Sequence, residues 1–465
     1  MRYLLIIIFC FGILQSQNDS LYDQDGLTPE FHAGRRNAFR KLMDSGSVAF
    51  FFSNPVRQRA NDVEYEFHQD PNFYYMTGHT EPNAVLVIFR DKILIDSIET
   101  NEIIYVQPRN AEDESWTGKR LGIEGVRKKL KFEYAFENLE FQDLKLDYSK
   151  FSKIYYPYFY NDVRDDYYNS GDLYSLIKIF EEKTQRFKNK KDYSGHYKIC
   201  AQLREIKLPE ELKLLKKAID ISVKGHLKLM QSLRPEMREY QAQAIVEFGF
   251  KFNGAEYEGY PSILGGGENS CILHYISNRK KLQNKDILVC DAGAEYHGYT
   301  ADITRTLPTD GLFSQEEKAI YNIVLLAQEE GIKACRKNNP FRASHLAAAE
   351  VIKNKLFELG VTKREDDYMK YFFHGTSHYL GLDVHDAGTN GRLKPGSVIT
   401  VEPGIYIPEG SPCDKKWWNI GVRIEDDILI TENEPEVLSK ELPKKIEEIE
   451  KLMSGNKEGK LQIKD

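Results

Sequence analysis

The run Lys285-Asp286-Ile287-Leu288-Val289-Cys290-Asp291-Ala292-Gly293 closes a hydrophobic segment with an acid and then a glycine. Its apolar, β-branched content reads as a buried strand, 286–291. The next run, Tyr299-Thr300-Ala301-Asp302-Ile303-Thr304-Arg305-Thr306, reads as a second strand, 299–306, with Asp302 inside it. A hairpin through Gly298 would bring Asp291 and Asp302 to one face. Taken singly, each acid has an ordinary explanation: Asp291 as a strand-end turn residue, Asp302 as a partner for Arg305. Working outward, further strands are expected at 397–402, 404–407 and 421–430. Amphipathic helices surround them. Pro209 opens one as a first-turn proline, with Leu212, Leu215, Ile219, Val223 and Leu227 at helical spacing. A second covers 236–250, Ser314 and Glu317 form a capping box for a third, and Gly360 stops a fourth over 344–359. Helices interleaved with antiparallel strands make the class α+β rather than a doubly wound parallel sheet.

Before this region the texture differs. Short β-rich runs at 84–89, 103–106 and 153–160 alternate with helical stretches, an α/β pattern. Segment 161–197 is polar and Tyr-rich with a charged run at 181–191, which marks a surface helix or an approach to a linker. The expected organisation is a smaller N-terminal domain over 28–197, a larger domain over 198–453 and a polar tail over 454–465. Hydrophobic residues at 41% and aromatics at 12% exclude disorder over the body of the chain. Sixty-four Lys+Arg against 71 Asp+Glu give a net charge of -7 with no dominant basic block, which argues against nucleic-acid partners.

Arg2, the apolar residues 4–14 and the small Ser16 read as an export signal over 1–16, so the chain is expected to be periplasmic or secreted. That apolar run is shorter than the about 20 residues a spanning helix needs, and no stable membrane insertion is expected. Of six Cys, Cys10 falls in the signal; the other five are widely spaced with no CxxC pair. They form neither a disulfide framework nor a zinc-thiolate site, and Cys290 reads as a buried thiol.

Candidate chemistry lies in the second half. His374-Gly375-Thr376-Ser377-His378-Tyr379-Leu380-Gly381-Leu382-Asp383-Val384-His385-Asp386 gathers three of the chain's 11 His. Its H-x-x-x-H pair lacks the Glu of a zincin helix, and its glycines disfavour a continuous helix. Hydrogen-bonded loop histidines are the plain alternative. Glu402 ends the apolar run Val398-Ile399-Thr400-Val401, where burial without a partner is costly and a nearby cation is expected. With Val422 and Ile424 toward the core, Arg423 and Glu425 share the opposite face. Asp291, Asp302, Glu402, Glu425 and His378 together form an oxygen-rich set suited to hard or borderline ions such as Mn²⁺. Two divalent ions would match the four carboxylates in charge, and without them the cluster would repel itself. Gly265-Gly266-Gly267 lacks the Gly-Lys-Ser/Thr of a phosphate loop and reads as a flexible loop beside the site. His79 and His297 have no recognisable partner.

Residues from about 200 to 445 resemble the pita-bread metallopeptidases, the group of methionine aminopeptidase, prolidase and aminopeptidase P, whose five ligands map onto these same residues. In the first half, Asp70-Pro71-Asn72-Phe73-Tyr74-Tyr75-Met76-Thr77-Gly78-His79-Thr80-Glu81-Pro82 and Trp116-Thr117-Gly118-Lys119-Arg120-Leu121-Gly122 are similar to the N-terminal domain of aminopeptidase P. Gly259-Tyr260-Pro261-Ser262-Ile263 and Cys271-Ile272-Leu273-His274-Tyr275 fit the same subgroup. The resemblance implies a pita-bread catalytic domain behind a smaller α/β domain, and release of the first residue from peptides with proline second. It implies two divalent ions, Mn²⁺ before Co²⁺ or Zn²⁺, bridged by Asp302 and Glu425, with Asp291 on one and His378 and Glu402 on the other. Glu402 would also act as general base, His274 and His385 would contact substrate, His374 would sit near the proline, and Arg423 would fix nearby carboxylates and contribute to the substrate site. A homo-oligomer, dimer or tetramer, is expected. Prolidase, which cleaves Xaa-Pro dipeptides, and a metal-free binding module on the same fold are the alternatives.

Overall fold

The computed structural model describes residues 24–95 and 97–454, so the expected export signal, 1–16, and the tail beyond Ser454 lie outside the described residues. The N-terminal half is organised by β1 (Val48–Phe52), Val-Ala-Phe-Phe-Phe, which is buried along its whole length. Its side chains alternate between two cores, as the strand period requires. Val48, Phe50 and Phe52 enter one cluster, whereas Ala49 and Phe51 enter another that continues into the C-terminal half. Around β1 stand β2 (Val85–Ile95), β3 (Ile98–Val106), β4 (Ala135–Glu137), β5 (Ile154–Tyr155) and β6 (Lys191–Asp192), in the mixed order β4-β3-β2-β1-β5-β6. The run expected at 153–160 pairs only at Ile154 and Tyr155, because Pro157 has no N–H to continue the ladder.

Helices cover both faces of this sheet. α1 (Pro29–Leu42) contributes Phe31 and Phe39 to the shared core. α2 (Leu173–Thr184) buries Leu173, Leu176 and Phe180 on the other face, with the Phe180 ring 4.9 Å from Phe50. The Tyr-rich segment is therefore half of a core wall rather than a linker. α3 (Tyr193–Arg204) leads into the C-terminal half.

There, α4 (Pro209–Ser232) starts at its proline, and the Glu211 carboxylate accepts from the Leu208 N–H at 2.9 Å. α5 (Glu239–Phe252) starts three residues later than the expected 236 and packs closely on α4, where a Cβ on Gly249 would stand 2.6 Å from the Gly225 Cα. α6 (Gln315–Lys333) carries the expected Ser314–Glu317 capping box. α7 (Ala343–Glu358) gives way to Gly360, whose φ of 72° is left-handed.

Between the helices, β7 (Ile263–Gly266) and β8 (Ile287–Asp291) pair antiparallel. Gly265 and Gly266 are thus buried strand residues, not a flexible loop. A Cβ on Gly265 would stand 2.6 Å from the Asn269 carbonyl oxygen. Two expected strands are interrupted. Residues 299–306 divide into β10 (Tyr299–Thr300), paired with β9 (Ala294–Tyr296), and β11 (Thr304–Pro308), paired with β8. Residues 421–430 divide likewise. β14 (Ile420–Arg423) pairs with β13 (Gly404–Ile407), and β15 (Asp426–Leu429) pairs with β12 (Val398–Val401). Each break falls where the chain exchanges one ladder partner for another.

Candidate metal centre

All four acids expected as ligands sit at such an exchange. Asp291 is the last residue of β8, Asp302 lies between β10 and β11, Glu402 between β12 and β13, and Glu425 between β14 and β15. Released from strict alternation between two faces, a side chain at a ladder break can turn into a shared cavity. Gly293 makes the first break feasible, since a Cβ there would stand 1.8 Å from the Ala301 carbonyl oxygen. The cavity is ≈ 510 Å³, and its walls include Asp291, Asp302, His378, Glu402, Glu425, His274, His374, His385 and Arg423. Every residue singled out from the sequence is therefore brought to one place.

Within it, donor atoms of Asp302, His378 and Glu425 lie within 4.8 Å of one another. The Nε2 of His378 is 3.3 Å from Asp302 Oδ2 and 3.6 Å from Glu402 Oε1. Its Nδ1 is 3.0 Å from the Tyr379 carbonyl oxygen, which calls for an N–H there and leaves Nε2 for a cation. Glu425 Oε2 accepts from the Thr304 hydroxyl at 2.6 Å, but Glu425 Oε1 is buried with no hydrogen-bond partner among the described residues, as is Asp427 Oδ1. Unpartnered carboxylate oxygens in a dry site call for positive charge. The Tyr260 hydroxyl stands 2.6 Å from Asp291 Oδ1 and 2.5 Å from Asp302 Oδ1, yet it has one proton for two carboxylates. These observations fit divalent cations.

The electrostatics agree. Burial pushes the Glu402 carboxyl up to about 7, and burial with the charges of Asp302 and Glu402 pushes Glu425 well above the usual range. Burial also raises Asp291, against the pull of Arg423, and Asp427, which faces Asp302. Burial opposes charge on His378, but Asp302 and Glu402 outweigh it and lift the imidazole to about 9. Without cations the cluster holds protons instead, and divalent ions displace them.

A second layer fixes these groups. Arg423 donates from Nη2 to Asp291 Oδ2 at 2.6 Å, from Nη1 to the Tyr406 hydroxyl at 2.9 Å and from Nε to Thr304 Oγ1 at 3.3 Å. Tyr406 in turn lies 3.0 Å from His374 Nε2, while His374 Nδ1 lies 2.7 Å from the Gly375 carbonyl oxygen. Both ring nitrogens of His374 are thus engaged by the protein, and burial, with Arg423 nearby, lowers it to about 4. What it offers the cavity is a neutral ring face. His385 stacks edge-on to His378 with centroids 4.5 Å apart and is also held below its ordinary value, by burial and then by His378.

The chain matches Metallopeptidase family M24 over residues 213–432 and the Aminopeptidase P N-terminal domain over residues 32–155. It is 35% identical to the Xaa-Pro aminopeptidase of Haemophilus influenzae over 438 residues, 91% of this chain and 97% of that protein. It is 31% identical to the mitochondrial intermediate cleaving peptidase 55 of Arabidopsis thaliana, covering 93% of this chain and 84% of that one. The structure of Escherichia coli aminopeptidase P with the inhibitor Pro-Leu superposes with a TM-score of 0.82 at 32% identity, covering 93% of this chain and 99% of that one. The chain belongs to metallopeptidase family M24. As an M24 enzyme it is a peptide hydrolase that works with divalent metal ions, and the α+β fold, with a smaller α/β half before the catalytic half, is that of aminopeptidase P.

Two residues that touch the cluster carry no chemical signal of their own in the sequence. Tyr260 stands only within the run Gly259–Ile263 and Thr304 within the strand-like run 299–306, and only the fold sets their hydroxyls against the acids. Asp302 does not pair with Arg305, which instead donates to Asp426 Oδ1 at 2.7 Å. The two histidines without recognisable partners have them. His79 Nδ1 accepts from the Glu81 N–H at 3.2 Å, and His297 lies between Asp25 at 3.0 Å and Glu256 at 2.7 Å.

Proposed function

We propose that this chain is an Xaa-Pro aminopeptidase that releases the N-terminal residue from peptides with proline second. The observation that carries the reading is the convergence of Asp291, Asp302, Glu402, Glu425 and His378 on one cavity also walled by His274, His374, His385 and Arg423. The donor set supports two divalent ions per chain, Mn²⁺ first and Co²⁺ or Zn²⁺ as substitutes. Asp291, Asp302, His378, Glu402 and Glu425 would hold them. Bound there, the ions would polarise the scissile carbonyl and acidify water for attack.

The protein's own groups do the rest. Glu402 accepts the proton of the attacking water at a carboxylate oxygen and passes it toward the leaving proline nitrogen. His274 and His385 contact the substrate and donate N–H groups to the oxygen that gains charge. The neutral ring of His374 lies against the proline, an apolar surface for an apolar ring. Arg423 keeps Asp291 and Tyr406 in place.

The test is cleavage of Arg-Pro-Pro against Gly-Pro by purified chain loaded with Mn²⁺, followed by mass spectrometry, in wild type and Asp302→Ala. Release of Arg from the tripeptide by the wild type alone is expected. Cleavage of the dipeptide alone would assign a prolidase, and no cleavage with less than one ion per chain would assign a binding module. The Arg2 and apolar 4–14 pattern supports export with cleavage after Ser16, which N-terminal sequencing of secreted protein would check. Domains bounded at 28–197 and 198–453, and a dimer or tetramer, complete the proposal; limited proteolysis and light scattering test them.

A further inference from the structure

A second cavity, ≈ 530 Å³, adjoins the catalytic one, and the two share His374, Gly375 and Ser377 as a common wall. Beyond that wall the lining changes character. The metal end gathers four carboxylates, whereas among the described residues the second cavity has no acid in its lining and one permanent cation, Arg342. Arg342 makes no ion pair with a described residue. The adjoining surface is aromatic. The His345 ring is 5.4 Å from Phe372, Phe372 is 5.2 Å from His374, and Phe373 is 5.5 Å from Tyr406. Phe373 and Met369 are nevertheless 55% and 57% exposed. Exposed apolar side chains continuous with a site, beside an unpaired guanidinium, mark a surface with a ligand to cover it.

We infer that the second cavity binds the portion of the substrate downstream of proline, with an apolar side chain on Phe373 and a carboxylate paired to Arg342. This rests on the Xaa-Pro aminopeptidase reading. A peptide whose scissile bond lies at the carboxylate cluster and whose proline lies against His374 continues past His374 into this cavity. The residue after proline meets the aromatic row first, and the next residue along the peptide meets the guanidinium. The carboxylate is the C-terminus of a short peptide or an Asp or Glu side chain, since a guanidinium forks onto either. A dipeptide ending in proline reaches none of these groups, so the cavity favours peptides longer than two residues.

The test uses the full chain loaded with Mn²⁺ and three substrates: Ala-Pro-Phe-Glu-amide, Ala-Pro-Phe-Gln-amide and Ala-Pro-Phe-Gln with a free C-terminus. In the wild type, kcat/KM for the better carboxylate peptide exceeds that for the uncharged amide by about fivefold, mainly through KM. Which of the two carboxylate peptides gains identifies the source of the charge. In Arg342→Gln the advantage disappears while cleavage of the uncharged amide is unchanged; in Phe373→Ala the preference for Ala-Pro-Phe over Ala-Pro-Gly falls. Binding of Pro-Phe-Glu-amide against Pro-Phe-Gln-amide by calorimetry gives the same ratio without turnover. An unchanged ratio in Arg342→Gln, with the uncharged amide cleaved normally, would overturn this inference alone. Failure of the wild type to cleave any Ala-Pro peptide would overturn the aminopeptidase reading and this inference with it.

Discussion

The guanidinium of Arg423 lies 2.6 Å from the carboxylate of Asp291, and both side chains are nearly closed to solvent, at 1% and 12% exposure. Arg423 thereby supplies one fixed positive charge to a cluster that otherwise gathers acids. Removing one member of a buried pair leaves the other desolvated and uncompensated, at a cost of about 3–5 kcal/mol. Arg423→Met is therefore expected to lose stability on that scale in urea titrations of the metal-free protein. Adding Mn²⁺ should recover part of the loss, because cations replace the missing charge on Asp291. Equal losses with and without metal would show that Arg423 serves packing rather than charge.

Thr304 holds Glu425, an acid that the family resemblance implies as a metal ligand. Its hydroxyl donates to Glu425 Oε2 at 2.6 Å and receives Arg423 Nε at 3.3 Å. Groups that orient a ligand from behind typically contribute about 10–100-fold to metal affinity. Thr304→Val keeps the shape and β-branching, so folding is expected to persist while Mn²⁺ affinity falls by about that factor. Competition titration against a chelator measures it, and wild-type affinity in the variant would remove Thr304 from the site.

The acids themselves were legible because each ends or interrupts an apolar run, where a charge is hard to bury without a reason. Their common location depends on breaks in the ladders at 301–303 and 424–425, which the β-rich local sequence conceals. Residues 299–306 have strand propensity throughout, and only the change of partner from β9 to β8 interrupts them. Long-range partners were equally hidden: His297 meets Asp25, far away along the chain. Composition misled at α2, where surrounding tyrosines and charges mask the buried Leu173, Leu176 and Phe180.

Gly293 permits the close crossing that sets Asp291 beside Asp302. A Cβ there would stand 1.8 Å from the Ala301 carbonyl oxygen, and Ala301 is held by its N–H donating to the Ala294 carbonyl at 3.0 Å. Backbone cannot yield as a side-chain tip can. Gly293→Ala is expected to cost about 3 kcal/mol, the upper part of the range for overpacking. Because the displaced segment carries Asp302, metal content of the soluble protein should fall below one ion per chain. Full occupancy in that variant, measured by elemental analysis, would show that the segment can shift without opening the site.

Glu211 offers a pH test away from the metal centre. It is 1% exposed, accepts from the Leu208 N–H at 2.9 Å, and lies 3.0 Å from the Tyr299 hydroxyl. Burial raises its carboxyl from 4.5 to about 7. Between those values the folded chain keeps a proton that the unfolded chain has released, so stability falls as pH rises through this window. The contribution is complete below about 4.5 and gone above about 7, a span of about 3 kcal/mol. Glu211→Gln mimics the protonated side chain and cannot titrate. The variant should match the wild type at pH 4.5 and exceed it in stability by that span at pH 8, at fixed metal concentration. A difference that does not change with pH would show that Glu211 stays ionised in the fold, held as an anion by the start of α4 and by Lys207.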